Sequence, residues 1–216
     1  MKVLLIGMGP GIGLSLARRF GRENFEIMML ARNADKLAAF RESLASEGIK
    51  ARGFTCDLAD SKAFARQAAE LAGQYPDTEV LIYNASAFNP AKPSEVNPDT
   101  LLQDMQVNAL SAVLAVKAFI PLFTARRSGA FLLTGGGSAL QAPPELASLG
   151  MGKAALRNFA FSLAQECALH GVRVATLTVC GTVKKDTKFD PDLIADAIWA
   201  QYCQKAGEGE VEQLFR

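Results

Sequence analysis

A run of glycines around residue 10 constrains the fold of this chain more than any other feature. It directly follows a short apolar run, Lys2–Ile6, and leads into an amphipathic stretch, Gly11–Arg22. A strand that turns at once into a helix needs backbone without obstructing Cβ atoms, and the first amides of that helix attract phosphate. The pattern therefore predicts a βαβ unit with a phosphate-binding loop; a tight turn with glycines for packing alone is the other interpretation. The candidate phosphate-binding residues are Gly7, Gly9, Gly11, Ile12 and Gly13.

The rest of the chain alternates short apolar runs with longer amphipathic stretches. Strands are predicted at Phe25–Ala31, Ala51–Thr55, Glu79–Tyr83, Ala130–Leu133 and Val172–Val179, with a further one near Val211–Phe215. Helices are predicted from Asn33 to about Glu47, Asp60–Gln74, Pro98–Arg126, Ser148–His170 and Pro191 to about Lys205, with a Gly/Pro-rich loop at Thr134–Ala147. This alternation predicts an α/β fold, a Rossmann-type doubly wound parallel sheet of six or seven strands with helices on both faces. No linker is evident, so residues 1–216 are expected to form one domain.

The composition narrows the classes of partner. The formal net charge is +1 and 21% of the residues are charged, so nothing predicts binding to nucleic acid or to an acidic membrane surface. No stretch is expected to approach the roughly 20 apolar residues of a membrane span. The four cysteines show neither a CxxC nor a metal-type spacing. We therefore expect a cytoplasmic protein with reduced thiols and without a bound metal.

The end of the second predicted strand carries information about a nucleotide. A site specific for NAD places an acid here, which accepts a hydrogen bond from the 2′-hydroxyl of the ribose. This chain has Ala31 at that place and Arg32 directly after it. A guanidinium can pair with a 2′-phosphate through two parallel hydrogen bonds. The sequence therefore predicts NADP(H) as cofactor, with a solvated arginine at a strand end as the alternative.

Several motifs, in their order along the chain, resemble those of the short-chain dehydrogenase/reductase family. They are the glycine spacing of Gly7, Gly11 and Gly13, then Asp57-Leu58, Asn84-Ala85-Ser86 and Lys153-Ala154-Ala155-Leu156. The resemblance covers Lys2 to about Val183, and Ser86 stands where the family has glycine. It implies that Asp57 and Leu58 hold the adenine, although Asp57 also suits a capping position ahead of the next helix. It further implies that Asn84 and Ala85 line the adenosine side, and that Gly181, Thr182 and Val183 lie along the nicotinamide.

The catalytic half of the resemblance is incomplete. The family uses a tyrosine as proton donor, a lysine four residues later, a serine and an asparagine. Asn108 and Lys153 match the asparagine and the lysine, and Lys153 would also bind the nicotinamide ribose, but Leu149 stands in the place of the tyrosine. Gly135 or Gly136 takes the place of the serine, which leaves Ser138 as the candidate hydroxyl. Thr134 and Ser148 are the alternatives to Ser138.

Two functions follow from this pattern. The first is an NADP(H)-dependent oxidoreductase that moves hydride to or from a carbonyl or alcohol substrate with an atypical proton donor. The second is a non-catalytic NADP(H)-binding sensor or partner subunit. Cys180 is interpreted as a small packed residue or as a thiol near the substrate. The resemblance implies that copies of the chain pair into a homodimer or homotetramer, and the apolar helix Pro98–Arg126 suits such a contact.

Overall fold

Seven parallel strands form one continuous sheet in the computed structural model, which describes residues 1–216. The strands are β1 Lys2–Ile6, β2 Glu26–Ala31, β3 Ala51–Thr55, β4 Thr78–Tyr83, β5 Ala130–Gly136, β6 Arg173–Val179 and β7 Glu212–Phe215. Their order across the sheet is β3-β2-β1-β4-β5-β6-β7. The chain runs outward from β1 on one side and then crosses back to β4, so the strand order reverses between β1 and β4. The predicted doubly wound parallel sheet is confirmed.

Helices cover both faces of the sheet because most of its strands are apolar on both sides. One face is packed by α1 Ile12–Gly21, α2 Ala34–Ser46 and α7 Pro191–Tyr202. The other is packed by α3 Ser61–Gln74, α5 Ser111–Arg126 and α6 Ala147–Cys167, with α4 Pro98–Met105 leading into α5. Two separate clusters of buried apolar side chains result, one on each side of the sheet.

The predicted continuous helix from Pro98 to Arg126 is interrupted. A π-helical turn, Gln106–Leu110, separates α4 from α5 and contains the fully buried Asn108. The side-chain amide of Asn108 bonds to the backbone of Ala87, a residue of the loop after β4. A π turn is the usual way to insert one extra residue into a helix, and it often occurs at functional sites. Periodicity does not predict this turn, and the polar contact that accompanies it is with a loop distant in sequence.

Strand β5 is longer than predicted. Residues Thr134, Gly135 and Gly136 were expected in a loop, but they pair with Leu177–Val179 of β6. A Cβ atom on Gly135 would lie 2.7 Å from Oγ1 of Thr178, so this strand passes too close to its neighbour for a larger residue. The glycines in this segment therefore permit strand pairing, and the loop starts only after them.

The stretch Pro98–Arg126 also corrects an expectation about membranes. It is long and apolar enough to cross a membrane by length and composition alone, with a mean hydropathy of 1.7 over its most apolar 18 residues. In the fold, 44% of that window is buried, and Phe119 and Phe123 are fully enclosed in the core. A core helix that packs against a sheet passes the same test as a membrane span.

Candidate functional site

A groove runs along the carboxyl ends of the strands, at the point where the strand order reverses. Open α/β sheets bind ligands at such a point. The groove consists of two cavities of about 400 Å³ and 430 Å³, which share Asn84 and Ser86 as lining residues. We call the one beside β2 and β3 the outer cavity and the one beside β5 and β6 the inner cavity. Of the predicted site residues, Gly11, Gly13 and Asn108 line neither cavity.

The glycine loop between β1 and α1 joins the two cavities. Gly7 has a φ of +92°, and a Cβ atom there would lie 2.4 Å from the backbone nitrogen of Ala85, so only glycine fits. Cβ atoms on Gly9 or Gly11 would meet nothing within 4 Å, so these two residues leave bare backbone facing open space. Helix α1 begins at Ile12 without a side-chain cap and without an acidic residue in its first turn. The loop therefore suits a phosphate group.

The outer cavity has two positive charges at one end. Arg32 and Lys36 both line it, and neither side chain forms a salt bridge or a hydrogen bond within the protein. Lys36 lies in the first turn of α2, which Asn33 caps by accepting a hydrogen bond from the Lys36 backbone amide at 2.8 Å. The sequence analysis did not identify Lys36. Its spacing of four residues from Arg32 was a usable signal because the capped helix start brings both cations to the end of β2.

The other predicted residues of the outer cavity are fixed by backbone contacts. Asn84 donates from Nδ2 to the carbonyl of Gly7 at 3.0 Å and so ties β4 to the glycine loop. The carbonyl of Leu58 accepts a hydrogen bond from the hydroxyl of Ser111 at 2.9 Å. Asp57 accepts from the amide of Ala59 within its own turn. The residue that caps α3 is Asp60, so the capping role considered for Asp57 is limited to the turn before the helix.

The inner cavity contains a buried lysine. The Nζ atom of Lys153 donates to the backbone carbonyl of Thr134 at 2.9 Å, and the side chain is only 6% exposed. No carboxylate contacts it. Burial lowers the pKa of Lys153 from 10.5 to about 8, because a charged ammonium loses its hydration there. An amine in this state can bind an anion and can also release a proton near neutral pH.

Leu149 and Ser138 line the same cavity as Lys153. A Cβ atom on Gly136 would lie 3.5 Å from Cγ of Lys153 and 3.7 Å from Oγ of Ser138. Gly136 therefore leaves a gap between the lysine stem and the serine hydroxyl, and Ser138 stands next to that gap. The hydroxyl of Ser138 forms no hydrogen bond within the protein, whereas that of Ser148 donates to Asp104. Of these two serines, only Ser138 offers a free hydroxyl to a ligand.

Asn108 acts on the backbone around the cavity. Its Oδ1 accepts from the amide of Ala87 at 2.8 Å, and its Nδ2 donates to the carbonyl of Ala87 at 3.1 Å. A Cβ atom on Gly152 would lie 2.4 Å from Cβ of Asn108, so α6 rests directly on the π turn. Lys153 follows Gly152 in α6. The close contact of Gly152 with Asn108 therefore sets the position of the lysine side chain relative to the cavity.

A buried acid next to the cavity escaped the sequence analysis. Asp104 is 1% exposed, accepts from Nδ2 of Asn89 at 2.6 Å, and also accepts from the hydroxyl of Ser148. The bond from Ser148 ties α4 to the start of α6, where Leu149 stands, and the bond from Asn89 ties α4 to the loop after β4. No local signal marks Asp104 as buried, because its neighbours Gln103 and Gln106 are also polar.

The loop after β6 lines one side of the inner cavity. Gly181, Thr182 and Val183 line it, together with Cys180 at the end of β6. The thiol of Cys180 lies 3.5 Å from the carbonyl of Thr178. The three loop residues are exposed, so the mouth of the cavity is open to water at this side.

The family of the chain follows from a comparison over nearly its whole length. Residues 1–194 match the family model described as short chain dehydrogenase. The chain belongs to the short-chain dehydrogenase family. In this chain, Leu149 stands four residues before Lys153.

Individual members of the short-chain dehydrogenase family are distant from this chain. Dehydrogenase/reductase SDR family member 4 of Sus scrofa is 26% identical over 205 residues, which are 94% of this chain and 72% of that protein. Inactive hydroxysteroid dehydrogenase-like protein 1 of Homo sapiens is 26% identical over 174 residues, 79% of this chain and 52% of that protein. The crystal structure of a metagenomic short-chain oxidoreductase in complex with NADP is 26% identical. It has a TM-score of 0.90, and the match covers 100% of this chain and 96% of that one.

Proposed function

We propose that this protein is an NADP(H)-dependent oxidoreductase that moves hydride to or from a carbonyl or alcohol substrate, with an atypical proton donor. The observation that carries the proposal is the buried Lys153, which lies in a cavity continuous with a phosphate-binding groove. A lysine without a counter-ion destabilises a fold, so a role toward a ligand is the simplest reason for its position. Membership of an oxidoreductase family and the complex of a similar oxidoreductase with NADP support the same function.

The groove fits NADP(H) by its own chemistry. Bare backbone at Gly9 and the uncapped start of α1 suit the pyrophosphate. The unpaired cations Arg32 and Lys36 suit a 2′-phosphate. Ala31 offers no carboxylate to a free 2′-hydroxyl. When bound, the reduced cofactor supplies a hydride at the inner cavity.

The side chains of the inner cavity bind and orient the reactants. Lys153 is the only cation that lines the cavity and would hold a negatively charged oxygen there, and water is the atypical proton donor. Ser138 is the candidate hydroxyl that orients the substrate oxygen. Asn108 positions α6, and with it Lys153, through its bonds to the Ala87 backbone. Leu149 excludes water on one side of the cavity but cannot exchange a proton.

Nucleotide binding is the first test. The protein is titrated with NADPH and NADH, and binding is followed by nucleotide fluorescence. We expect NADPH to bind more tightly, and Arg32→Ala to weaken NADPH binding by about 10- to 100-fold with little effect on NADH, as for a charge-assisted hydrogen bond. The matched control is Arg41→Ala. Arg41 lies in α2, is exposed like Arg32, and forms no salt bridge. Failure to bind either nucleotide would refute the proposal.

One observation favours a second candidate, a non-catalytic NADP(H)-binding sensor or partner subunit. Leu149 removes the family's proton donor, and loss of a general acid costs about 10²- to 10⁴-fold in rate. A similar human protein is described as inactive. The two candidates differ in turnover. Tight NADPH binding without NADPH oxidation, over a panel of carbonyl compounds, is the expected result for the sensor.

The proposal extends to assembly and location. Leu102, Leu110 and Val113 on α4, the π turn and α5 are exposed, at 68%, 50% and 39%. We propose that this face pairs copies of the chain into a homodimer or homotetramer, which light scattering at micromolar concentration tests; a monomer would contradict it.

The four free cysteines are consistent with a location in the reducing cytoplasm.

A further inference from the structure

The inner cavity carries one positive charge and no negative one. Lys153 is the only charged side chain that lines it, and the thiol of Cys180 is the only other ionisable group. The buried carboxylate of Asp104 belongs to a separate cluster with Ser148 and Asn89. A buried ammonium that has only a neutral carbonyl as partner favours an anion beside it.

A second group in the cavity also lacks a partner. The hydroxyl of Thr134 is buried and forms no hydrogen bond. Thr134 lies two residues before Gly136 on β5, so both residues face the same side of the sheet, and a Cβ atom on Gly136 would contact Lys153. Buried hydroxyls normally have a partner, so this one is available to a bound oxygen atom. An ammonium and a free hydroxyl thus lie on one side of the cavity.

The missing proton donor limits the acceptors that the cavity can serve. Hydride addition to a simple ketone gives an alkoxide, a base about as strong as hydroxide. Such a product needs an acid in the transition state. Hydride addition to a quinone gives the anion of a phenol, which has a pKa of about 10, as in tyrosine. That anion needs charge stabilisation and no immediate proton.

We infer that the inner cavity accepts quinones, whose reduced form is held as an anion beside Lys153 and Thr134. The inference rests on the proposed NADP(H)-dependent function and names its substrate class. Leu149 fits this chemistry because an apolar side chain can pack against a ring where a tyrosine would donate a proton. The positive charge of Lys153 stabilises the product without being transferred.

The reaction balances with NADPH as reductant. The quinone gains two electrons and one proton as a hydride, and NADPH becomes NADP⁺. The hydroquinone monoanion then takes its second proton from water, which reaches the cavity past the exposed residues Gly181, Thr182 and Val183. Lys153 keeps its proton throughout.

The anion site can be tested without turnover. 4-Nitrophenol changes its absorption on ionisation, so its pKa can be measured when it is bound to the nucleotide-free protein. In wild type, we expect the pKa of the bound phenol to fall by about 1 to 3, as for an acid beside an opposite charge. In Lys153→Met, we expect it to stay at or rise above its value in water. Lys117→Met, which removes an exposed lysine of α5, should behave as wild type. Equal pKa values in wild type and Lys153→Met would overturn the inference.

The substrate class is tested by comparing duroquinone with cyclohexanone at saturating NADPH. Duroquinone is fully substituted and does not alkylate thiols. We expect wild type to reduce it at least about 100-fold faster than the ketone, corrected for the reaction without protein, because only the ketone needs a general acid. Leu149→Tyr, which supplies an acid beside the substrate oxygen, should raise the ketone rate and so narrow the ratio of the quinone rate to the ketone rate. This variant keeps the test informative if Lys153→Met does not fold.

The possible failures of the two proposals are distinguishable. If NADPH does not bind, the proposed function fails, and the 4-nitrophenol titration still reports on the anion site. If NADPH binds and ketones are reduced as fast as the quinone, only the quinone inference is overturned.

Discussion

Replacing Lys153 by methionine is expected to stabilise the nucleotide-free protein. The lysine side chain is buried, and its only partner is the carbonyl of Thr134. Methionine has a similar length and shape and carries no charge, so it fills the same space beside Gly136. The variant therefore removes the cost of burying an ammonium and loses one hydrogen bond.

The structure gives the size of this effect and its dependence on pH. The pKa of Lys153 falls from 10.5 to about 8 on folding, which corresponds to about 3 kcal/mol of destabilisation at pH 7. Loss of the hydrogen bond to Thr134 reduces the stability gain of the variant by about 1 kcal/mol. The variant should thus be more stable by about 2 kcal/mol at pH 7, which raises the Tm of a chain of this size by about 4–8 °C. Between pH 8 and 10.5 the unfolded wild type binds more protons than the folded one, so wild-type stability rises with pH and the advantage of the variant disappears.

The measurement is urea unfolding of wild type, Lys153→Met and Lys117→Met at pH 7 and at pH values up to 10. Lys117 is exposed and controls for the loss of a positive charge elsewhere. Groups that titrate equally in all three proteins cancel in the differences. A Lys153→Met variant that is less stable than wild type at pH 7 would refute the reasoning, because it would mean that the ammonium is solvated or paired in the folded protein.

Two further predictions concern packing and acid stability. Gly152→Ala should destabilise the protein by about 1–3 kcal/mol in urea unfolding, because the new Cβ atom would lie 2.4 Å from Cβ of Asn108. Gly73→Ala, in an exposed helical position with open space around it, should be neutral or stabilising. The Arg157 guanidinium lowers the pKa of Glu212 below its usual 4.5, so this carboxylate stabilises the fold above pH 4.5 and less as the pH falls. Glu212→Gln should therefore lose less stability than wild type between pH 5 and 3, and an equal loss in both would contradict the contribution of this ion pair.

The sequence was sufficient for the fold and for the cofactor half of the groove because those features are local. The order of apolar runs and the glycines between Ile6 and Ile12 determine a strand, a turn and a helix without reference to the rest of the chain. Arg32 follows directly from the end of its strand. Lys36 is also local, but it lies in the first turn of α2 and not at the end of the strand, where the sequence pattern for the nucleotide is found.

The features that could not be predicted depend on contacts between distant segments. The π turn exists where Asn108 meets the backbone of Ala87, and the length of β5 depends on the approach of β6. The buried Asp104 is satisfied by residues 15 positions before it and 44 positions after it. Such distances along the chain carry no periodic signal, so only the folded structure shows which polar groups meet.

The stability that the protein loses by burying the Lys153 ammonium also distinguishes the two candidate functions. A protein that only binds NADP(H) through the glycine loop and Arg32 would be about 2 kcal/mol more stable to unfolding without this ammonium. It would lose no contact in the outer cavity. A protein that must hold a negatively charged oxygen in the inner cavity cannot make that exchange, because no other cation lines the cavity. NADPH affinity and quinone reduction should therefore respond differently to Lys153→Met. The quinone rate should fall by a larger factor than the affinity for NADPH, whereas a sensor has no quinone rate to lose and should keep its affinity for NADPH.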